Sequence, residues 1–260
     1  MVVSGASERG FAFVAARGDA FAVWRANALA AARPVDRCPL PQGVSQRRDG
    51  SFAAPAPADP AADWRVLLEI VAALDDLHAL HLPLVSRAFS HVEARQADDG
   101  SLGFSGASEE ERIFLTGMLG GYFGKSHAVR TGTLIAAGDY LAERFAPERV
   151  QNFAWRAIAA YSHFFANVPH EAADAVLQWT GRELERGFRT HHFDGVRTAR
   201  VLLYADAPSL PGARLDATEL VAVIRSEQAD DGGWLPLEDP SPAARVRHTL
   251  DALTALARFG

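Results

Sequence analysis

The sequence predicts an all-α protein built from repeated helical hairpins, and three observations predict it. Helix-start signals are frequent and legible. No stretch alternates apolar and polar residues as a half-buried strand would. One short pattern also recurs after long apolar stretches: QRRDGSF over Gln46–Phe52, QADDGSLGF over Gln96–Phe104 and QADDGGW over Gln228–Trp234. Recurrence at this scale marks a chain assembled from copies of one supersecondary unit.

The elements follow in order. Asp19 to Ala32 reads as a helix, and Pro34 to Pro60 as an irregular Pro/Arg-rich connection holding the first repeat loop. Asp59-Pro60 supplies an N-cap and a proline at the first helical position, where a missing N–H does no harm. Ser108 with Glu111 and Asp216 with Glu219 read as capping boxes. Pro147, Pro169 and Pro242 each stand where a new apolar-periodic segment begins. Helices are therefore expected over 61–82, 84–96, 109–123, 127–145, 148–167, 170–186, 196–205, 216–228 and 242–259. Helices joined by short loops pack as antiparallel hairpins. The spacing of the motif copies gives five or six of them, in one domain over residues 1–260.

Composition limits what such an array can do. With 260 residues, 48% of them hydrophobic, the chain can build one large core or one continuous array. Charged residues interrupt every apolar run, so no membrane-spanning segment is expected. No secretory leader is legible, so a cytoplasmic location is expected. Cys38 is the only cysteine, which excludes an internal disulfide and a cysteine-based zinc site. The formal charge is −6 and the arginines are scattered among acids, which argues against a nucleic-acid surface.

Gln228-x-x-x-Gly232-x-Trp234 and Gln46-x-x-x-Gly50-x-Phe52 resemble the QW motif of the terpenoid cyclase and protein prenyltransferase superfamily. The copy at Gln96 keeps Gly100 and offers its aromatic two residues late, at Phe104. The resemblance implies an α/α toroid, a double ring of helices around a central cavity. In it the glutamine serves backbone groups at a neighbouring helix end, the glycine permits a tight turn, and the aromatic fixes the hairpin spacing. It also implies an isoprenoid or diphosphate-bearing small molecule as ligand, and leaves room for a homodimer or a partner chain. The chain departs from the family at its catalytic signatures. It has no DxDD; Ala73-Leu74-Asp75-Asp76 lacks the first aspartate. The prenyltransferase cysteine has no counterpart, although Arg247-His248-Thr249 resembles the stretch carrying the zinc-binding histidine. Asp75-Asp76 and Asp230-Asp231 both fail DDxxD. No metal and no cofactor are expected.

In the toroid reading, helices 61–82, 109–123, 148–167, 196–205 and 242–259 form the inner ring. Polar stripes on them are then cavity-facing candidates; otherwise they are solvated faces. Arg65, Glu69 and Asp76 share one face of 61–82. Asn152, Arg156, His163 and Asn167 form a stripe on 148–167, and Arg247, Asp251, Thr254 and Arg258 one on 242–259. Arg112 and Thr116 come from 109–123. Asp63, Glu69 and Asp76 are the candidate acids. Arg65, Arg112, Trp155, Arg156, His163, Arg247 and His248 are the candidate ligand contacts, with arginine suited to diphosphate or carboxylate and aromatic faces to cations. Three functions fit: an isoprenoid enzyme without the usual acid or zinc, a non-catalytic binding or scaffold protein, or an enzyme for a saccharide or acidic small molecule. Gly124-Lys125-Ser126 lacks the first glycine and the preceding strand of a phosphate loop.

Overall fold

The computed structural model describes residues 5–55, 59–126 and 128–260. Among these residues it is all-α apart from a two-stranded hairpin, β1 (Ser45–Gln46) and β2 (Phe52–Ala53). The helices are α1 (Gly5–Arg17), α2 (Ala20–Ala31), α3 (Pro60–Asp76), α4 (Pro83–Glu93), α5 (Glu109–Ser126), α6 (Thr131–Arg144), α7 (Pro147–Val150), α8 (Trp155–Asn167), α9 (Ala173–Arg189), α10 (Gly195–Ala205), α11 (Ala217–Ser226) and α12 (Pro242–Phe259). No helix is long and apolar enough to cross a membrane.

The helix starts are capped by the residues that announce them. The Asp59, Asp194, Asp216 and Ser241 side chains each accept a backbone N–H of the first turn. Ser108 Oγ accepts from Glu111 N. Three boundaries depart from the sequence expectation. α1 carries no distinctive start signal and was not anticipated. The helix expected over 61–82 stops at Asp76, because His78 turns left-handed (φ 54°) and Ala79 N closes back on the Leu74 carbonyl. The helix expected over 148–167 is broken between α7 and α8 by Asn152 and Phe153, both at positive φ. Residue 127, the expected start of the helix before Arg144, and residues 56–58 of the expected connection lie outside the described residues.

The repeated motif builds one joint three times. Gln46 Nε2 donates to the Gly50 and Leu84 carbonyls, Gln96 Nε2 to those of Gly100 and Thr133, and Gln228 Nε2 to those of Gly232 and Ala6. Each glutamine thus ties its own turn to the first turns of another helix, α4, α6 and α1 respectively. The glycines sit at φ 91°, 85° and 90°, and a Cβ on any of them would collide with a carbonyl of that same helix, at Arg87, Ala136 or Arg9. Two of the joints are further held by an arginine of the clasped helix, Arg87 or Arg9, donating to the glutamine Oε1. The apolar slot is filled by Phe52 and Trp234 in two copies and by Leu102 in the other, all buried. Phe104, the expected aromatic of that copy, is only half-buried and lies elsewhere. Leu102 N and Trp234 N donate to Thr116 and Thr249 of the following helix, so the two loops are seated alike.

Behind the joints, α3 packs on α5, α5 on α8, α8 on α10, α10 on α12, and α12 on α2. Arg25 of α2 then bonds Asp76 of α3, returning the series to its start. The closest pair is α5 with α8. Gly117, Gly120, Gly121 and Gly124 face Ala160, Phe164, His163 and Asn167, with no room for a Cβ. The large core runs from Phe21 through α3 to α12. A second, separate cluster joins α1 and α2 to α12 through Phe13, Val14, Ala22, Ala26, Val246, Leu250 and Leu253.

Candidate functional site

The C-terminal ends of α3 and α5 and the middles of α2, α10 and α12 converge on a buried charge cluster. Asp76 Oδ1 and Oδ2 accept from Arg200 Nη1 at 2.7 and 2.9 Å, and Oδ2 also accepts from Arg25. Arg25 reaches Asp251 Oδ1 at 3.2 Å. Lys125 Nζ donates to Asp75 Oδ2 at 2.7 Å. Three cations thus meet three carboxylates from five helices, which is the condition under which charges tolerate burial. Burial works against the charge of Arg200, yet Asp76, then Tyr204 and Asp251, hold its pKa well above the ordinary value. Burial raises Asp75, and Lys125 opposes that rise.

An aromatic group stands beside these charges. The His163 imidazole lies edge-on to Tyr122, with centroids 4.3 Å apart, and stacks on Tyr204 at 5.1 Å. Among the described residues, neither His163 nitrogen nor the Tyr122 hydroxyl has a hydrogen-bond partner. Burial, with Lys125 and Arg200 nearby, keeps the imidazole neutral far below its usual pKa. Asn167 Nδ2 donates to the His163 and Tyr204 carbonyls and ties α8 to α10.

At the opposite ends of α3, α5 and α8 lies a depression of about 570 Å³. Arg65, Phe104, Glu111, Phe114, Trp155 and Arg156 line it. Arg156 lies 4.1 Å over the Phe114 ring and donates to Glu111 at 2.6 Å. Arg65 pairs with Asp59 at 3.1 Å. Trp155 Nε1 donates to the Arg197 carbonyl, and the Arg197 guanidinium lies over its indole. The indole is thereby fixed while both arginines stay exposed. Aromatic faces, guanidinium groups and helix N-termini together suit an anion carrying an apolar stem.

The other sequence candidates fall elsewhere. Asp63 accepts from Ala54 N at 2.7 Å and Arg47 at 2.9 Å, pinning β2 to the first turn of α3. Glu69 is exposed one turn along from Arg65. Arg112 faces Asp99 at 3.5 Å, in the second motif loop. Arg247 is exposed on α12, and His248 is buried with Nε2 3.3 Å from Asp194. Near it, both Glu227 oxygens accept from Gly195 N, and burial reinforced by Asp194 raises the Glu227 pKa. Asp194 and Glu227 line a cleft of about 470 Å³ walled by Phe188 and Phe193.

The structure therefore brings Arg65, Trp155 and Arg156 together at the depression, and Asp76 close to the His163 group in the core. It leaves Asp63, Arg112, Arg247 and His248 apart. Sequence reasoning passed over Arg25 and Arg200. Their signal was a charge inside an otherwise apolar helical stretch, as in Phe21–Ala26 and Ala199–Tyr204. No group of three or more His, Cys, Asp or Glu side chains is placed to hold a metal among the described residues. No protein-family model, curated protein or solved structure matches this chain.

Proposed function

We propose that the chain is a single α/α toroid of the terpenoid-cyclase and prenyltransferase kind that binds an anionic small molecule with an isoprenoid-like stem. Two features support the toroid. The packed series from α3 through α5, α8, α10 and α12 to α2 is linked back to α3 by the Arg25–Asp76 ion pair, and the loop before α12 clasps α1 as the loops before α3 and α5 clasp α4 and α6. The observation that carries the ligand reading is the depression at which α3, α5, α8 and the loop before α5 bring together three aromatic rings and two guanidinium groups. Its ion pairs are exposed, so exchanging a carboxylate for a diphosphate or carboxylate ligand costs little. The role is binding rather than protonation of an alkene. Asp76 is committed to two arginines, and Asp63 to Arg47 and a backbone N–H.

Calorimetric titration with a linear prenyl diphosphate tests this, beside the matching alcohol. Saturable binding of the diphosphate is expected, weakened about tenfold or more by Arg65→Gln with Arg156→Gln, a loss of about 1.4 kcal/mol or more. Equal binding by that variant, or no binding of the diphosphate, sinks the ligand reading. A crystal structure with α1 seated on no α12, neither its own nor a second copy's, would sink the toroid.

The cleft at Asp194 and Glu227 favours a second reading, an enzyme for a polar substrate such as a saccharide. A carboxyl group of raised pKa beside a second carboxylate is an acid–base arrangement. Screening aryl glycosides against the native chain and Glu227→Gln decides it: hydrolysis absent from both would remove this reading.

A further inference from the structure

One of the three glutamine joints differs from the others in a way that bears on association. Gln46 and Gln96 clasp helices 38 and 37 residues further along the chain, whereas Gln228 clasps Ala6, 222 residues away. The donor atom, the own-turn carbonyl and the glycine contact are the same in all three. In the third, however, the clasped helix is not joined to α12 by a short loop. Among the described residues, the α1–α2 hairpin is joined covalently to the rest through the segment after α2.

That segment, residues 33–44, lays Val35, Cys38, Leu40 and Val44 on the large core, is otherwise mostly exposed, and carries one backbone–backbone hydrogen bond, from Val44 N to the Pro41 carbonyl. Fully extended, its twelve residues reach about 40 Å. The hairpin itself seats on α12 through its own small hydrophobic cluster and on the larger core through Phe21 and the Arg25 ion pairs.

We propose that this seam is an exchange site for a second copy of the same chain. The α1–α2 hairpin of each copy docks on α12 and the Gln228 loop of the other, giving a swapped homodimer. Every seam contact is re-formed across the pair: Arg9 with Gln228, Arg25 with Asp76 and Asp251, and Phe13 and Val14 against Leu250 and Leu253. The seam contacts are therefore the same in either form, and the exchanged form gives up only those of the segment itself, through Val35, Cys38, Leu40 and Val44. The balance is set by the local concentration the segment imposes, on the order of mM for a short flexible tether, against the protein concentration. Dilute protein is a closed monomer, and protein refolded at high concentration is a dimer. This depends on the seam alone and stands or falls independently of the ligand proposed above.

A cysteine pair reads the exchange directly. Gly10 faces Leu253 across the seam. Gly10→Cys with Leu253→Cys, in a Cys38→Ser background, is unfolded, refolded at micromolar or near-millimolar concentration, then oxidised and run on a non-reducing gel. The expected result is single-chain mass from the dilute sample and doubled mass from the concentrated one. Cross-links confined to single chains at both concentrations overturn the proposal. Should the variant not refold, the native chain decides by light scattering after the same concentrated refolding. A dimer that persists for hours after dilution supports exchange; a monomer, or a dimer that falls apart on dilution, overturns it.

Discussion

Gly100 and Gly106 have nearly the same backbone, φ 85° and 86°, but Gly106 faces open space while a Cβ on Gly100 would strike the Ala136 carbonyl. Gly106→Ala should cost about 1–2 kcal/mol, the penalty of a left-handed L-residue. Gly100→Ala should cost about 3 kcal/mol or more, since overpacking adds to that penalty. Chemical denaturation of the two variants measures the difference, and equal losses would mean that the joint does not depend on close approach. His163 carries a pH prediction. The unfolded chain takes up its proton near pH 6.5, and the folded chain only far below, because burial comes first and Lys125 and Arg200 add repulsion. Stability therefore falls as pH drops below about 6.5, by up to about 1.4 kcal/mol per unit from this group. The facing groups are Tyr122 and Lys125 of α5 and Arg200 and Tyr204 of α10. His163→Phe should flatten that acid limb in denaturation measured from pH 7 to pH 4.5; an unchanged slope would place the proton uptake elsewhere. The motif glycines were legible in the sequence because few other residues turn left-handed. The burial of His163 was not, because its stripe with Arg156 and Asn167 is as compatible with solvent as with a core.

The helix pair α5–α8 makes the same point at the scale of elements. Gly117, Gly120, Gly121 and Gly124 weaken a helix taken alone. Against α8 they allow the two backbones to approach, with Gly117 on the Ala160 carbonyl and Gly124 on that of Asn167. Gly117→Ala should raise helix propensity yet destabilise the protein by about 1–3 kcal/mol, as measured by thermal and urea unfolding. A stabilised variant would mean that the pair can move apart freely. The element starts were legible because caps are local chemistry, as at Asp59, Asp194 and Ser241. The ends were less so. Leu77, Ala79, Leu80 and Leu82 continue an apolar run past Asp76, and only the left-handed turn at His78 shows that they belong to a loop. α1 escaped notice since its apolar face matters only once α12 lies against it.

Across the whole molecule, Asp76 holds α3 to α2 and α10, while Arg25 and Arg200 also approach Asp251 of α12. Asp76→Asn leaves two buried guanidinium groups short of a counter-charge and should cost about 3–5 kcal/mol, far more than breaking an exposed pair such as Arg65 with Asp59. Equilibrium unfolding of Asp76→Asn and Asp59→Asn compares them, and similar losses would show that the cluster is not desolvated as its burial implies. The helical class, most helix starts and the three glutamine–glycine turns were legible from the residues alone, because each rests on the conformational limits of residues close together in the chain. Which helix each glutamine clasps, the seating of α1 beside α12, the pairing of Asp76 with two arginines and the meeting of Arg65, Trp155 and Arg156 at an open depression emerge only in the folded chain. Those outcomes depend on which distant side chains share a dielectric environment and a volume, and neither is encoded in local spacing.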